Sequence, residues 1–244
     1  MRNSNFNTSW YLLVIVAVLS LAFSSSVEAL QIKLWDGGSN TVIVQDEGLG
    51  DISVGAGVVS FSGAVGKFIV NVSTGMSKPV IGSAEAPSMD MLSVDVSSAL
   101  PNAGAFLQIS VTDKNFGPMS SSLNGFMAGI GGTTQGTVSL DTYFDTANQE
   151  FQIAGSTVTQ FAHIGPLKGG IGNDFSGSAL FSGTPDNNPF SITMVVSIRH
   201  GGGVKMSSFD ASINPTPEPK TVLLFGLGLV GLGIIPKRKM EIEG

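Results

Sequence analysis

Residues 30–45 read LQIKLWDGGSNTVIVQ, two apolar runs on either side of a cluster of turn residues. From Leu30 to Trp35 apolar and polar residues alternate, as they do in a β-strand with one buried face. The five residues that follow are Asp, Gly, Gly, Ser and Asn, types that suit the positive φ angles of tight turns. The β-branched run Thr41–Gln45 then resumes the extended pattern, so residues 30–45 predict a β-hairpin.

The same short-strand pattern recurs through the central segment. Clusters of Gly, Asn, Asp, Ser and Pro separate the strand candidates, and no window combines a helical period with capping residues. Many short strands joined by Gly-rich turns predict an all-β fold, a β-sandwich over residues 30–214, with a jelly-roll strand order as one arrangement of that class. The further strand candidates are 68–73, Met91–Val96, Phe106–Val111, Thr137–Phe144, 151–153 and Ile192–Ile198.

Composition excludes several functional classes. The chain has 244 residues, of which 42% are hydrophobic and 12% are charged, and it has no Cys. A disordered, charge-rich tail would contain far fewer apolar residues, whereas disulfide scaffolds, thiol enzymes and Cys-based metal sites require cysteine. The formal net charge of −6 argues against a nucleic-acid-binding protein, because such proteins present a basic face to phosphate.

The N-terminal segment has the three parts of a secretory signal peptide. A polar leader that contains Arg2 precedes the apolar run Trp10–Phe23, and small residues precede Ala29. Fourteen residues of helix span about 21 Å, which is shorter than the roughly 30 Å of membrane hydrocarbon. We therefore predict a signal peptide over residues 1–29, cleaved between Ala29 and Leu30, with an uncleaved N-terminal anchor as the alternative.

The C-terminal segment combines prolines, an apolar run and a basic cluster. Prolines at 215, 217 and 219 are expected to end the last strand and form an extended spacer. Residues 221–235 are apolar after the first and predict a hydrophobic transmembrane helix, short for a full span at about 22 Å. The basic cluster that closes this run is Lys237, Arg238 and Lys239.

The order of these parts over residues 215–244 resembles the PEP-CTERM sorting signal of exported bacterial surface proteins. The resemblance implies processing by an exosortase, a transpeptidase-like membrane enzyme. It implies that Pro217, Glu218 and Pro219 are the recognition element, that 221–235 is a temporary membrane stop, and that residues 237–239 retain the tail on the inner side. An ordinary C-terminal membrane anchor that no enzyme processes is the alternative.

The acidic loops are candidate calcium sites, because exported Gly- and Asp-rich β-proteins offer many oxygen ligands. Asp46, Glu47 and Asp51 lie close together in sequence, and Asp141 and Asp145 flank an aromatic pair. A calcium ion requires six to eight oxygen ligands, and the EF-hand spacing does not occur. A structural calcium ion stays open without assigned ligands, and no other metal or cofactor is predicted.

Catalytic motifs are absent from the sequence. The two histidines, His163 and His200, are expected at a surface position and at a strand end, and no G-x-S-x-G motif occurs. A secreted hydrolase would need a histidine and a carboxylate clustered in a cleft, so we predict no enzymatic activity.

The sequence thus predicts an exported, non-catalytic surface or matrix protein, sorted through its tail. By the resemblance, its partners are the exosortase, the inner membrane and the exopolysaccharide of biofilms, and it reaches the cell surface after a membrane-anchored stage. The alternative is an extracellular carbohydrate- or calcium-binding module on an unprocessed C-terminal anchor. Only Trp35 and Tyr143 would supply large amphipathic rings to the exported body, which weighs against a flat sugar-binding platform.

Overall fold

The computed structural model describes residues 30–100 and 104–218, which form twelve β-strands and one short 3₁₀ turn (Ile171–Asn173). The predicted hairpin is present: the first two strands pair with Trp35 opposite Thr41. The strands are β1 (Gln31–Trp35), β2 (Thr41–Gln45), β3 (Val58–Val65), β4 (Phe68–Met76), β5 (Met89–Leu100), β6 (Ala105–Phe116), β7 (Leu123–Thr134), β8 (Thr137–Asp145), β9 (Val158–Lys168), β10 (Asp174–Ser182), β11 (Phe190–His200) and β12 (Gly203–Pro217).

These strands form two six-stranded antiparallel sheets. Sheet A has the order β2-β1-β6-β11-β8-β9, and sheet B has the order β10-β7-β12-β5-β4-β3. From β5 onward most connections cross from one sheet to the other, so both sheets contain strands from distant parts of the chain. The all-β, two-sheet architecture predicted from the strand pattern is therefore confirmed.

The core lies between the two sheets, and many of the strands contribute alternate residues to it, whereas β11 is buried along most of its length. In β1, Ile32 and Leu34 are fully buried while their neighbours are half-exposed, which is the alternation of a strand with one buried face. Aromatic rings fill the region near β9, where Phe126 and Phe161 pack with centroids 5.1 Å apart. Without disulfides, this apolar packing is the main stabilising term, at about 25 cal/mol per Å² of buried apolar surface.

The segment 151–153 is not a strand, contrary to the prediction. It lies in the β8–β9 loop, where Phe151 has a φ of +54° and its N–H donates to Thr112 Oγ1. Asp145 starts this loop by accepting hydrogen bonds from the N–H groups of Ala147 and Gln149. A side chain that bonds the backbone two and four residues later favours a turn over a strand, so local apolar character misled the prediction here.

Candidate functional site

The last strand carries the chain directly into the predicted recognition tripeptide. Pro217 pairs with Leu123 of β7, and the N–H of Glu218 donates to the carbonyl oxygen of Ser122 at 2.9 Å. The predicted proline spacer from residue 215 is therefore wrong for 215–217, because these residues continue β12. Backbone pairing to β7 thus includes the first two residues of the tripeptide, Pro217 and Glu218.

The prolines fit in this strand because one of its sides is free. β5 pairs with β12 only as far as Ile213, so beyond that point β12 has β7 as its single paired neighbour. Glu218 directs its N–H toward β7, so the residue before it, Pro217, faces the unpaired side of the strand. Proline lacks an N–H and is tolerated at an edge position, so no ladder hydrogen bond is lost.

Several predicted elements lie outside the described residues. These are the signal peptide 1–29 with Ala29, the parts of the tail at Pro219, 221–235 and Lys237–Lys239, and residues 240–244. Within 30–100 and 104–218, no helix is long and apolar enough to cross a membrane. The predicted C-terminal helix thus stays a prediction.

A cavity of about 670 Å³ opens at one end of the sandwich. Its walls come from the β1–β2 turn, the β3–β4 turn, the start of β6 and the end of β11. The residues that give it chemical character are Trp35, Asp36, Lys67, Phe106 and Arg199. We call this the end cavity.

Two aromatic rings in the end cavity are held in place by the β1–β2 turn. Trp35 and Phe106 meet edge to face with centroids 5.9 Å apart, and Trp35 Nε1 donates to the carbonyl oxygen of Gly38 at 2.9 Å. Gly37, with a φ of +80°, lies so close that a Cβ there would be 2.8 Å from Phe106 Cδ1. Both rings are thus fixed by the fold, with part of each still exposed.

Charged groups surround these rings. The guanidinium of Arg199 lies 4.6 Å from the centroid of Phe106, a cation–π contact, and Lys67 is exposed in the two-residue turn between β3 and β4. Asp36 accepts hydrogen bonds from the side chain of Asn40 and the N–H of Gly38, and these bonds lower the pKa of its carboxyl. Asp36 therefore stays ionised while its oxygens hold the turn.

Comparison with known proteins bears on the tail. Residues 215–239 match the family model of the PEP-CTERM protein-sorting motif. The tail is a PEP-CTERM sorting motif. Such a motif is a signal of exported proteins and implies exosortase processing in general, so the chain is exported toward the cell envelope. The resemblance read from the sequence is confirmed, and β12 leads straight into the PEP-CTERM motif.

Similarity to solved structures is weak, and no curated protein matches the chain. The carbohydrate-binding module TmCBM61, solved with beta-1,4-galactotriose, is 10% identical with a TM-score of 0.31, covering 51% of this chain and 71% of its own. The module TmCBM27, studied for mannan recognition, is 7% identical with a TM-score of 0.22, covering 60% and 88%. The active domain of tailspike protein 4 of bacteriophage CBA120 is 12% identical with a TM-score of 0.28, covering 59% and 19%. Scores this low carry no inference about ligands.

The acidic loop after β2 is held by hydrogen bonds. Asp51 accepts from the N–H groups of Glu47, Ser53 and Ser60, and Asp46 Oδ2 accepts from the N–H of Gly57 at 2.5 Å. Asp46 is buried, which raises the pKa of its carboxyl. Within residues 30–100 and 104–218, no three His, Asp or Glu side chains are grouped so that they could hold a metal ion.

His163 lies at the surface, as predicted. Its Nδ1 is 2.6 Å from Asp141 Oδ1, and this hydrogen bond raises the pKa of the imidazole. Asp141 also accepts from the side chain of Gln160 at 2.7 Å. In the described part of the chain, no hydroxyl hydrogen-bonds to His163, so this pair lacks the nucleophile of a hydrolase.

His200 is at a strand end, as predicted, but it is buried with 2% exposure. Its two ring nitrogens lie 2.8 Å from Ser98 Oγ and 2.8 Å from Ser207 Oγ, and Ser207 in turn bonds Thr134. Burial lowers the pKa of this imidazole. The sequence could not predict this burial, because the partners that satisfy the ring come from β5 and β12. A buried, fully bonded ring has a structural role.

Two carboxylates meet in a shallow groove on the outer face of sheet B. Asp90 of β5 and Asp210 of β12 line it together with Gly129 and Gly131 of β7, whose missing side chains form its floor. Burial and the charge of Asp210 raise the pKa of Asp90 to about 6. Sequence reasoning missed this pair, since the two residues are 120 positions apart and only the strand order brings them together.

Proposed function

We propose that the chain is an exported, non-catalytic envelope protein that an exosortase removes from the membrane and passes to the extracellular polysaccharide matrix. The observation that carries the proposal is the PEP-CTERM motif at residues 215–239, whose first three residues are the end of β12, the last strand of the β-sandwich. The motif is the sorting signal, and the sandwich is the exported domain that remains outside the membrane. Removal of residues after Pro219 would take away the apolar run and the basic cluster.

The titratable groups support a role without catalysis. His200 is enclosed by two serines, His163 pairs with Asp141 at the surface, and the Asp46 loop uses its carboxylates on its own backbone. Catalysis of hydrolysis requires a base, an oriented partner and a nucleophile around one cleft. The described residues supply these parts at separate places.

The strand order supports the jelly-roll interpretation of the body. From β5 to β12, four strands of sheet B run β5-β12-β7-β10 and four of sheet A run β6-β11-β8-β9. The first of these eight strands pairs with the last, and each connection except β8–β9 crosses between the sheets, as in a jelly roll. The hairpins β1–β2 and β3–β4 then extend the two sheets at their edges.

The mass and cell fraction of the protein in its native host test this function. Processing at both ends predicts a species that starts at Leu30, ends near Pro219 and lies outside the inner membrane. Replacing Pro217, Glu218 and Pro219 by alanine should leave the full-length chain in the inner membrane. A variant that still reached the surface would contradict the recognition role, and a mature protein retaining residues 237–244 would favour the unprocessed anchor.

The strand pairing of Pro217 and Glu218 adds a kinetic expectation. An enzyme that binds this tripeptide in an extended form competes with its backbone pairing to β7. We therefore expect Pro217 and Glu218 to separate from β7 before processing. Inserting Gly-Ser-Gly between Asn214 and Pro215 should release the tripeptide and speed processing severalfold in a pulse–chase experiment. The same insertion at the exposed residue Gly201, between β11 and β12, is the control. Equal rates for both insertions would contradict the expectation.

The end cavity favours one alternative, a carbohydrate-binding module on an unprocessed membrane anchor. Its Trp35 and Phe106 rings offer an apolar wall beside polar groups, which is the usual composition of a small-ligand site. Sugar binding by a chain that keeps its tail in the native host would favour this alternative. A structural calcium ion would raise the melting temperature on addition of calcium and lower it on chelation.

A further inference from the structure

We infer that the end cavity binds an acidic sugar residue, a uronate, of an extracellular polysaccharide. This inference rests on the proposed function, because it names the matrix component that the exported body would meet. Two aromatic rings, two cations without anionic partners and a continuing row of cationic side chains carry it.

The aromatic wall suits one face of a pyranose ring. The C–H groups of a sugar ring carry partial positive charge and pack against the negative face of an aromatic ring. Trp35 and Phe106 are held by the turn rather than by rotamer choice alone, since Gly37 lies against Phe106 and Gly38 accepts from Trp35 Nε1. A wall fixed before binding loses little conformational entropy when the sugar arrives.

Arg199 is positioned to receive a carboxylate. The Phe106 ring lies against its guanidinium at 4.6 Å, and within residues 30–100 and 104–218 no acceptor hydrogen-bonds to it. A guanidinium presents five donors in a planar fork that matches the two oxygens of a carboxylate. Lys67 is likewise without an ion pair in the described part of the chain and lines the same cavity. The one carboxylate in the wall, Asp36, is engaged by its own turn.

The cationic character continues beyond the cavity along one row of sheet A. Arg199 of β11 is directly opposite Thr137 of β8, and Thr137 is directly opposite Lys168 of β9. Directly paired residues project from the same face, so Arg199 and Lys168 share a face two strands apart, about 10 Å. A polymer with a carboxylate on successive sugars could engage Lys67, Arg199 and Lys168 in turn.

The rest of the protein is acidic, so cations without ion-pair partners at the end cavity point to an anionic ligand. Residues 30–218 contain seven Lys and Arg against fifteen Asp and Glu, so most of the surface repels a polyanion. Lys78 and Lys114 are in ion pairs with carboxylates, whereas the cations of the end cavity are not. A neutral sugar offers these cations only hydroxyl oxygens, whereas an acidic sugar adds a carboxylate and so forms stronger hydrogen bonds between opposite charges.

The test is binding of the full-length chain, purified in mild detergent, to polygalacturonate and alginate oligomers, with neutral dextran and galactan oligomers as comparison. Isothermal titration should give affinity for the uronate oligomers at least tenfold above that for the neutral ones, falling as NaCl rises. Arg199→Met and Lys67→Met should each weaken uronate binding about tenfold or more. Trp35→Ala should weaken binding to every sugar that binds.

Lys114→Met is the matched control, since it removes one positive charge at the opposite end of β6 and should change affinity less than twofold. Circular dichroism and melting temperature establish that each variant is folded. Equal affinity for uronate and neutral oligomers, no effect of Arg199→Met, or no binding to any oligomer would each overturn the inference. These failures are distinct from failure of the proposed function, which is judged by the mass and cell fraction of the protein in its host.

Discussion

Replacing Asp90 by asparagine should stabilise the folded protein at neutral and alkaline pH. Asp90 lies half-buried in the groove of sheet B, and both burial and the charge of Asp210 raise its pKa from 3.8 to about 6. The ionised carboxylate is therefore less favourable in the folded chain than in the unfolded one. Asparagine keeps an oxygen that can accept a hydrogen bond from the N–H of Met91 and removes the charge.

Proton linkage gives the sign and the size of the change in the free energy of unfolding. Because the folded-state pKa is raised, the favourable contribution of Asp90 is full below about pH 3.8 and is lost as the pH rises through about 6. Unscreened, a pKa moved from 3.8 to about 6 corresponds to about 3 kcal/mol, and solvent screening at a half-buried position reduces this to about 1–2 kcal/mol. For a body of this size, that corresponds to about 2–8 °C in melting temperature.

Thermal unfolding of wild type and Asp90→Asn at pH 8 and pH 4 measures the effect. The variant should melt higher at pH 8, and the gain should shrink at pH 4, where both states bind a proton at this site for much of the time. Asp95→Asn, which removes an exposed carboxylate of the same strand, should change stability by no more than about 0.5 kcal/mol. An Asp90→Asn protein that melts no higher at pH 8, or that gains equally at both pH values, would refute the reasoning.

Three further substitutions test the core and its buried polar groups. Phe126→Ala should cost about 3–5 kcal/mol in urea unfolding, because the ring is fully buried in the aromatic cluster; a loss under 1 kcal/mol would contradict its core role. Lys78→Met should cost about 3 kcal/mol, since it leaves the 2%-exposed carboxylate of Asp113 without its ion-pair partner; an unchanged denaturation midpoint would contradict this. His200 has a lowered pKa, so stability should fall as the pH drops below about 6.5, and His200→Gln should remove this slope. The pH dependence from His200 is best measured in the Asp90→Asn background, where the opposite pH dependence of Asp90 is absent. If stability still fell below about pH 6.5 in the double variant, the assignment to His200 would be contradicted.

The sequence allowed prediction of strands whose signal is local. The β1–β2 hairpin follows from alternation and turn residues within sixteen positions, and the structure has it with the predicted bounds for Thr41–Gln45. β7 lacks such a signal, because glycines interrupt its apolar pattern. Gly132 is required there, since a Cβ would be 2.1 Å from the carbonyl oxygen of Ser208. That requirement comes from the approach of β12, which no local pattern contains.

The candidate sites also differ in whether their signal is local in the sequence. The tail could be identified from sequence because its three parts are contiguous, and the family model matches there. The end cavity could not, because Trp35 and Arg199 meet only through the pairing of β1, β6 and β11. The scarcity of Trp and Tyr weighs against a flat sugar-binding platform, and that prediction does not consider Phe106, which lines the end cavity beside Trp35. The strand end predicted for His200 is confirmed, but its burial could not be predicted because its hydrogen-bond partners belong to other strands.

The position of β12 links folding of the body to sorting of the tail. β12 lies between β5 and β7 in sheet B, so the sheet closes only after the chain has been exported as far as Pro217. On the proposed function, the membrane stop begins at residue 221, and the short connection from Glu218 spans at most about 10 Å when fully extended. Closure of the sheet would then draw the folded body against the membrane and pair the recognition tripeptide with β7 at the same time. The processing enzyme therefore meets either a frayed strand end or a folded edge, and the insertion before Pro215 distinguishes the two by its effect on rate.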